Sequence, residues 1–418
     1  MTENEPPPYF ALQFLKQNPR WLVGCFLLTA FSSFGQTFFI SQFSKPIRTQ
    51  FELSDGDFGL LYMLATLASA MTLVWLGKIV DRMAIANVSA IIIIGLSIAC
   101  CLISLTRSIL LLFVAIFALR LFGQGMMTHT SQTAIGKWYS ADRGRAISLT
   151  TMGHQFGEAI FPSLVLIAVA AFGWQATWQI AAASLLCIAL PMILILLRVE
   201  RQPNAFCVTP SLQKETNCVR HWNRDEVLKD VVFWGLLVSV LAPAFIGTAV
   251  FFHQDHLMEA KGWPNETFAR AFIILAIFTI TFTLIGGWLV DQLSARVLLP
   301  FFLLPMGIGC FILGASEPTV SLFVFMAMLG GSFGLSSALF GTIWPETYGT
   351  QNLGSIRAMA VAAMVFASAL GPGITGWCID HTITFSSQLF AMGIYCVCAS
   401  TLMVVVARML KSRELRTV

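Results

Sequence analysis

The stretch "GKIVDR" at residues 77–82 recurs as "GWLVDQ" at residues 287–292, 210 positions further along the chain. Each copy follows an apolar run and places a glycine and an aspartate four residues apart. The same spacing relates two further pairs, Gly144 with Gly354 and Pro162 with Pro372. Four matches at a single spacing, in three widely separated places, predict that the chain is an internal duplication of two similar halves.

The composition identifies the environment of both halves. The chain has 418 residues, of which 57% are hydrophobic and only 11% are charged, whereas soluble domains average about 25% charged residues. A helix needs about 20 apolar residues to cross the ~30 Å hydrocarbon core of a bilayer. Twelve such runs are present, at roughly residues 21–43, 57–77, 87–106, 109–135, 146–170, 176–197, 231–252, 268–290, 297–315, 319–343, 357–379 and 385–407.

The predicted fold is an all-α membrane protein with twelve transmembrane helices, arranged as two six-helix bundles related by the internal repeat. The polar segment 198–230 is the only long connection and separates six spans from six. The expected organisation is an N-terminal tail (1–20), a first bundle (21–197), a linker (198–230), a second bundle (231–407) and a C-terminal tail (408–418). We refer to the spans by number, from span 1 to span 12.

The placement of basic residues predicts the orientation. With both termini in the cytoplasm, 19 of the 25 Lys and Arg residues fall on the inner side and 5 on the outer side, as the positive-inside rule requires. No cleavable signal peptide is visible at the N-terminus. We expect a multi-pass protein of the cell membrane, which is the inner membrane in a Gram-negative host.

The sequence lacks the motifs of several functional classes. No Walker loop, HExxH, GxSxG or paired CxxC occurs, and these are the patterns that hold phosphates, metals or catalytic nucleophiles. We therefore expect no enzyme activity, no cofactor, no metal and no nucleic-acid partner. The expected partners are the lipid bilayer and a small molecule, and we expect a monomer.

Three motifs resemble the signatures of the major facilitator superfamily, and the resemblance extends over essentially the whole chain. They are "GKIVDR" (77–82), "RLFGQG" (120–125) and "WYSADRGRA" (138–146). The resemblance implies a transporter whose two bundles rock about a central substrate site.

Two further stretches look like the branch that contains monocarboxylate and oxalate–formate porters. These stretches are "FGQTFFISQF" (34–43) and "GSIRAMAVAAMVFASALGP" (354–372). The chain departs from standard monocarboxylate–proton porters because span 1 lacks their lysine and span 8 lacks their aspartate and arginine.

Ionisable residues within apolar spans are costly and usually face a cavity or one another. Arg120 lies in span 4, and His154 and Glu158 lie four residues apart in span 5. A rise of ~1.5 Å per residue places all three at similar depth on antiparallel neighbouring spans. Arg120 could bind a substrate carboxylate while Glu158 or His154 exchanges a proton. Alternatively, Arg120 and Glu158 form a permanent ion pair that only joins two helices.

Weaker candidates are uncharged polar residues and a cluster at the end of span 7. Small and hydroxylated stretches either allow close helix packing or line a substrate cavity, and the cavity interpretation selects Gln36, Thr37, Gln124, Ser336 and Ser337. His253 and Gln254 either face an outer vestibule or belong to a plain helix end. A metal site at His253, Asp255 and His256 is not predicted, because zinc sites usually need a further ligand and supporting residues.

A gate is predicted at the cytoplasmic ends of spans 2 and 8. Asp81 can accept hydrogen bonds from a neighbouring helix N-terminus and from nearby arginines, and it is joined there by Arg82, Arg143, Arg145 and Asp291. The alternative is that these residues are solvated loop charges.

The sequence thus predicts a secondary active transporter of a small, monocarboxylate-like organic anion, with protons or a second anion as the coupling partner. The alternative is an exporter of a drug, siderophore or other larger metabolite, because 35 Phe residues could line an apolar cavity. A receptor or scaffold derived from a transporter is less well supported, because the tails are short.

Overall fold

The computed structural model describes residues 19–77, 79–139, 143–199, 201, 222–349 and 353–417. Every regular element in these ranges is helical, which confirms the predicted all-α class.

Among the described residues, ten helices are long and apolar enough to cross a membrane, and one bent pair, taken as one span, makes eleven. Span 9 is the shorter apolar helix Leu304–Ala315, which follows a series of turns. The observed bounds are Pro19–Gly35 with Thr37–Phe51, Asp55–Leu76, Ile85–Ser104, Ile109–Trp138, Arg143–Phe172, Trp174–Leu197, Val231–Phe252, Asn265–Leu293, Leu304–Ala315, Val320–Tyr348, Leu353–Asp380 and Phe385–Thr417.

The helices pack into two compact units, and these do not follow the two sequence halves at one point. The first unit contains Met1–Ile40 and Ala68–Cys207, and the second contains Ser41–Leu67 and Val208–Val418. The end of span 1 and the beginning of span 2 therefore pack with the second half of the sequence. The division into bundles 21–197 and 231–407 stays a prediction.

Glycines determine the packing inside the first unit. A methyl group at Gly153 would overlap the Phe26 carbonyl, and one at Gly157 would overlap the Ser33 hydroxyl. Span 5 can therefore approach the backbone of span 1 only because both residues lack a side chain, as small residues permit in membrane helices.

Span 1 is broken where it meets span 4. Its first part ends in a 3₁₀ turn at Ser32–Gly35, and the helix axis bends by 44° before Thr37–Phe51. Gly35 lies against Gly123, whose added methyl group would come 2.6 Å from the Gly35 Cα atom. Span 4 itself is wound as a π-helix over Arg120–Met127. Such bulges are often found at functional sites.

The second unit is also built on close glycine contacts. A methyl group at Gly330 would come 2.5 Å from the Leu275 carbonyl, and one at Gly371 would come 2.7 Å from the Phe245 carbonyl. These contacts join span 10 to span 8 and span 11 to span 7. Tyr62, from the segment 41–67, packs on Phe252 with ring centroids 4.6 Å apart.

A second sign of duplication appears where the sixth helix of each half ends. The Arg201 guanidinium lies 4.0 Å from the centre of the Tyr139 ring. Two hundred and twelve residues later, Arg413 binds Asp230, which also accepts a hydrogen bond of 2.9 Å from the Tyr348 hydroxyl. In the first unit an arginine just after the sixth helix packs on the aromatic end of the fourth. In the second unit an arginine in the last turns of the sixth helix reaches that end through Asp230.

The charge of Asp230 stabilises the contact with Arg413 and Tyr348 in the second unit. Burial alone would raise the pKa of Asp230, but hydrogen bonds from Arg413, the Val232 amide and Tyr348 outweigh it and hold the pKa below its ordinary value. The ion pair is therefore present at neutral pH. Its stabilisation is lost only as pH falls through that lowered pKa.

The glycine contacts between spans 1 and 5 predict a stability difference between two matched variants. Gly153→Ala should lower the apparent melting temperature in detergent, because overpacking costs about 1–3 kcal/mol. Gly136→Ala should leave it unchanged or higher, because no atom of the described residues lies within 4 Å of its added methyl group. Equal melting temperatures would contradict the packing assigned to Gly153.

Candidate functional site

Arg120 is the centre of the candidate site in the first unit. Its side chain is only 1% exposed. One terminal nitrogen, Nη1, donates hydrogen bonds of 3.2 Å to the Gly35 carbonyl and 3.2 Å to the Thr37 hydroxyl. Arg120 therefore lies at the break in span 1 and bonds to both sides of it.

The break explains why a cation is stable at this position. Gln36 has an extended backbone (φ −87°, ψ 155°), so the helix ends there and leaves carbonyl groups without their usual partners. The C-terminal end of a helix carries partial negative charge and favours cations. The guanidinium thus has a structural role that the sequence did not indicate.

His154 and Glu158 lie on the other side of the same segment. His154 is half-buried, and its ring centre is 5.7 Å from that of Phe38. Glu158 is 5% exposed. Within the described part of the chain the Glu158 carboxyl group has no hydrogen bond or ion pair. The interpretation that Arg120 and Glu158 form a permanent ion pair therefore finds no support in this structure.

The structure brings the three ionisable residues together around residues 33–38. Arg120 contacts Gly35 and Thr37, His154 contacts Phe38, and the glycine beside Glu158 contacts Ser33. The similar depth expected from helix rise alone agrees with this arrangement.

Three of the weaker candidates belong to the same site. Gln36 and Thr37 are 9% and 5% exposed and form the break itself. Gln124 is half-buried and lies one turn after Arg120 in the π-helix, where its backbone nitrogen approaches Gly35. Of these three residues, Thr37 bonds the guanidinium through its hydroxyl, and the two glutamines lie at the break and one turn from Arg120.

The remaining candidates lie in the second unit. The Ser336 hydroxyl donates to the Ser332 carbonyl of its own helix, and Ser337 is exposed. His253 and Gln254 are 2% and 3% exposed, so neither side chain faces an open vestibule. Instead, the Gln254 amide donates to the Ser41 hydroxyl at 3.4 Å.

The predicted gate falls mostly outside the described side chains. This applies to Asp81, Arg143, Arg145 and Asp291, while Arg82 is described and is exposed. The gate stays a prediction.

Two basic residues near the predicted gate were missed by sequence reasoning. Lys137 Nζ donates to the Val80 carbonyl at 2.8 Å, and His129 Nε2 lies 3.3 Å from the Gly77 carbonyl. The Gly77 carbonyl follows the last residue of span 2, and the Val80 carbonyl belongs to the short helix Ile79–Arg82 that comes after it. Their position in the polar last part of span 4 was the available signal.

The apolar spans, the duplicated halves and the charged residues at a broken span define a polytopic membrane transporter. The chain belongs to the Major Facilitator Superfamily, whose family model matches residues 25–372. The family and the similar solved structures are transporters and not enzymes.

Known relatives are distant. A hexuronate transporter of Bacillus subtilis is 21% identical over 309 residues, which cover 69% of this chain and 72% of the relative. A glycerol-3-phosphate transporter of the same organism is 24% identical over 204 residues, covering 45% of each chain.

Solved structures support the fold along the full length. A bacterial homologue of the human lysosomal transporter Spinster has a TM-score of 0.71 at 16% identity, with 98% of this chain and 99% of that chain covered. The D-xylose–proton symporter also has a TM-score of 0.71, at 18% identity, with 92% and 96% covered.

The contact between Arg120 and Thr37 predicts a stability loss. Thr37→Val keeps the shape but removes the hydroxyl acceptor, so the variant should lose about 1–3 kcal/mol, measured as a lower melting temperature in detergent. The control is Thr281→Val, whose exposed hydroxyl bonds only its own helix at Ile277. A Thr37→Val protein as stable as this control would contradict the contact.

Proposed function

We propose that the protein is a secondary active transporter that moves a small organic anion across the cell membrane by alternating access. The observation that carries the proposal is the buried Arg120 guanidinium at the break of span 1. A cation at this depth is expensive to maintain. Its placement beside unwound backbone and polar side chains is typical of a site that binds an anion.

The chemistry of arginine favours a carboxylate or phosphate ligand. The guanidinium is planar and permanently charged, and it matches the geometry of these groups. At the equivalent position of the second half, 210 residues later, the chain has Gly330. The positive charge is therefore specific to one half, as expected for an asymmetric substrate site on a duplicated fold.

Glu158 and His154 are the proposed coupling residues. A carboxyl group with no ion pair in the described chain can be neutralised by a proton or by a passing cation. The positions equivalent to His154 and Glu158 in span 11 are Met364 and Ser368. Proton exchange is therefore also assigned to the first half, close to Arg120. Exchange against a second anion is the other form of coupling.

The substrates named for two relatives support the anion class. Hexuronate carries a carboxylate and glycerol 3-phosphate a phosphate. The sequence resemblance to monocarboxylate and oxalate–formate porters makes monocarboxylates the first compounds to test. We further propose that the protein acts as a monomer, that both termini are cytoplasmic, and that the gate at Asp81, Arg82, Arg143, Arg145 and Asp291 closes the cytoplasmic side.

Substrate binding by Arg120 is tested by uptake into proteoliposomes. A panel of monocarboxylates, sugar acids and phosphate esters should identify an anion that wild-type protein accumulates. Arg120→Ala should reduce kcat/KM at least about thirtyfold, since a hydrogen bond to a charged group contributes about 2 kcal/mol or more. Arg107→Ala, which removes an exposed arginine, is the matched control.

Wild-type uptake by folded Arg120→Ala protein would overturn the proposal. Uptake of no anion, combined with export of an apolar compound, would instead favour the drug or metabolite exporter.

Proton coupling by Glu158 is tested separately. Glu158→Gln removes the titrating group, so an imposed pH gradient should no longer drive accumulation while exchange of labelled for unlabelled substrate continues. Glu317→Gln, at a side chain that is 79% exposed, should behave as wild type. A pH-gradient response unchanged by Glu158→Gln would contradict this role.

A further inference from the structure

A second group of ionisable residues lies in the second unit, around the first residue of span 2. One carboxylate oxygen of Asp55, Oδ1, is 3.4 Å from His253 Nδ1. The other, Oδ2, binds Arg48 and lies 3.7 Å from His256 Nδ1. The contact joins residues 48–55 to the end of span 7. None of these residues belongs to the Arg120 site.

The second nitrogen of His253 determines where protons can be. His253 Nε2 lies 2.9 Å from the Pro372 carbonyl oxygen. A carbonyl oxygen only accepts hydrogen bonds, so Nε2 must carry a hydrogen and donate it. In a neutral imidazole the other nitrogen, Nδ1, is then without hydrogen. Two acceptors, Nδ1 and the Asp55 oxygen, would face each other in a buried position unless a proton lies between them.

Close backbone packing prevents His253 and Asp55 from separating by a small movement. A methyl group at Gly59 would overlap the Pro372 carbonyl, and one at Gly376 would overlap the Asp55 carbonyl. Span 2 and span 11 are thus in backbone contact on both sides of the histidine. His253 itself is only 2% exposed, so water cannot easily replace the missing donor.

We propose that Asp55 and His253 form a proton-binding site, with one proton held between Oδ1 and Nδ1, and that this proton fastens the segment 41–67 to span 7. The bound form is an imidazolium paired with a carboxylate across 3.4 Å, which is a charge-assisted contact. This site is separate from the coupling role proposed for Glu158.

The other charged groups around the site leave His253 as the residue that takes the proton. Burial lowers the pKa of His256, against the opposing effect of Asp55, so His256 is neutral near pH 7. Glu259 faces His256 from the same short helix, Gln254–Lys261. Arg48 already neutralises part of the Asp55 charge but binds the oxygen that His253 does not face.

Asp255 and Lys45 complete the surroundings. The Asp255 carboxylate accepts a hydrogen bond of 3.0 Å from the Lys45 amide. Burial raises the pKa of Asp255 to about 6, with Lys45 and Arg48 opposing the rise. Titration of Asp255 therefore affects its contact with Lys45 in a range from about pH 4, the ordinary pKa of an aspartate, to about pH 6.

A second attachment of the same segment needs no proton. The Asp380 carboxylate accepts hydrogen bonds of 2.6 Å from the Ser54 hydroxyl and 3.0 Å from the Gly56 amide. It thereby caps the first turn of span 2 from the end of span 11. This contact should hold the segment when the His253 proton is lost, so that deprotonation loosens the structure locally.

The proton itself can be detected by nitrogen NMR of protein labelled with ¹⁵N-histidine in lipid nanodiscs. At pH 7 the His253 signals, assigned as those lost in His253→Gln, should show two protonated ring nitrogens. In Asp55→Asn the amide can donate to Nδ1, so the neutral ring should appear. A neutral His253 in the wild-type protein at pH 7 would overturn the proposal.

The fastening is tested by hydrogen–deuterium exchange of residues 41–67 in the same nanodiscs, corrected for the intrinsic pH dependence of exchange. The fastened state binds one more proton than the loosened state. Its full stability is therefore present below about pH 6.5, the ordinary pKa of an imidazole. Above that pH its protection should fall about tenfold per pH unit. The decline should be absent in Asp55→Asn.

Two variants serve as matched controls for this experiment. Asp57→Asn removes an exposed carboxylate whose contacts are with Ser54 in the same turn, and it should keep the wild-type decline. Asp255→Asn should remove the pH dependence of exchange only between about pH 4 and about pH 6, and it should keep the wild-type decline at higher pH. A decline that disappears in Asp255→Asn but persists in Asp55→Asn would overturn the proposal. Because exchange needs no substrate, this result is independent of whether the chain transports an organic anion.

Discussion

The break in span 1 is the feature on which the first unit depends. A straight helix would satisfy its own backbone, and a buried arginine beside it would have no carbonyl to bind. Because the helix stops at Gly35 and resumes at Thr37, the Gly35 carbonyl and the Thr37 hydroxyl can accept hydrogen bonds from Arg120. The cost of unwinding one helix and the cost of burying one cation therefore offset each other.

Glycines allow the helices on both sides of span 1 to approach this break closely. Gly35 and Gly123 let spans 1 and 4 touch through their backbones, and Gly153 and Gly157 do the same for spans 1 and 5. Helices in lipid gain little from the hydrophobic effect and rely on close packing and hydrogen bonds. The polar site is thus held by contacts that only residues without side chains allow.

The two units divide the ionisable chemistry between them. The first unit has Arg120, His154 and Glu158 near a broken helix, which is where we place substrate binding and coupling. The second unit has Asp55 and His253 in a buried contact at the start of span 2, where we place a proton with a mechanical role. A protein that uses protons at both sites would respond to pH in substrate binding and in the fastening of residues 41–67.

The sequence by itself determined the class of the protein and selected the charged residues of the candidate site. Apolar length gives the spans, the spacing of 210 gives the duplication, and the cost of charge in lipid singles out Arg120, His154 and Glu158, because each of these properties is local or periodic. Only the tertiary structure showed that Arg120 binds a broken helix, that His253 is buried against Asp55, and that residues 41–67 pack with the second half. These features depend on hydrogen bonds and ion pairs between residues that are 83 to 326 positions apart, and neither periodicity nor residue type specifies such pairs.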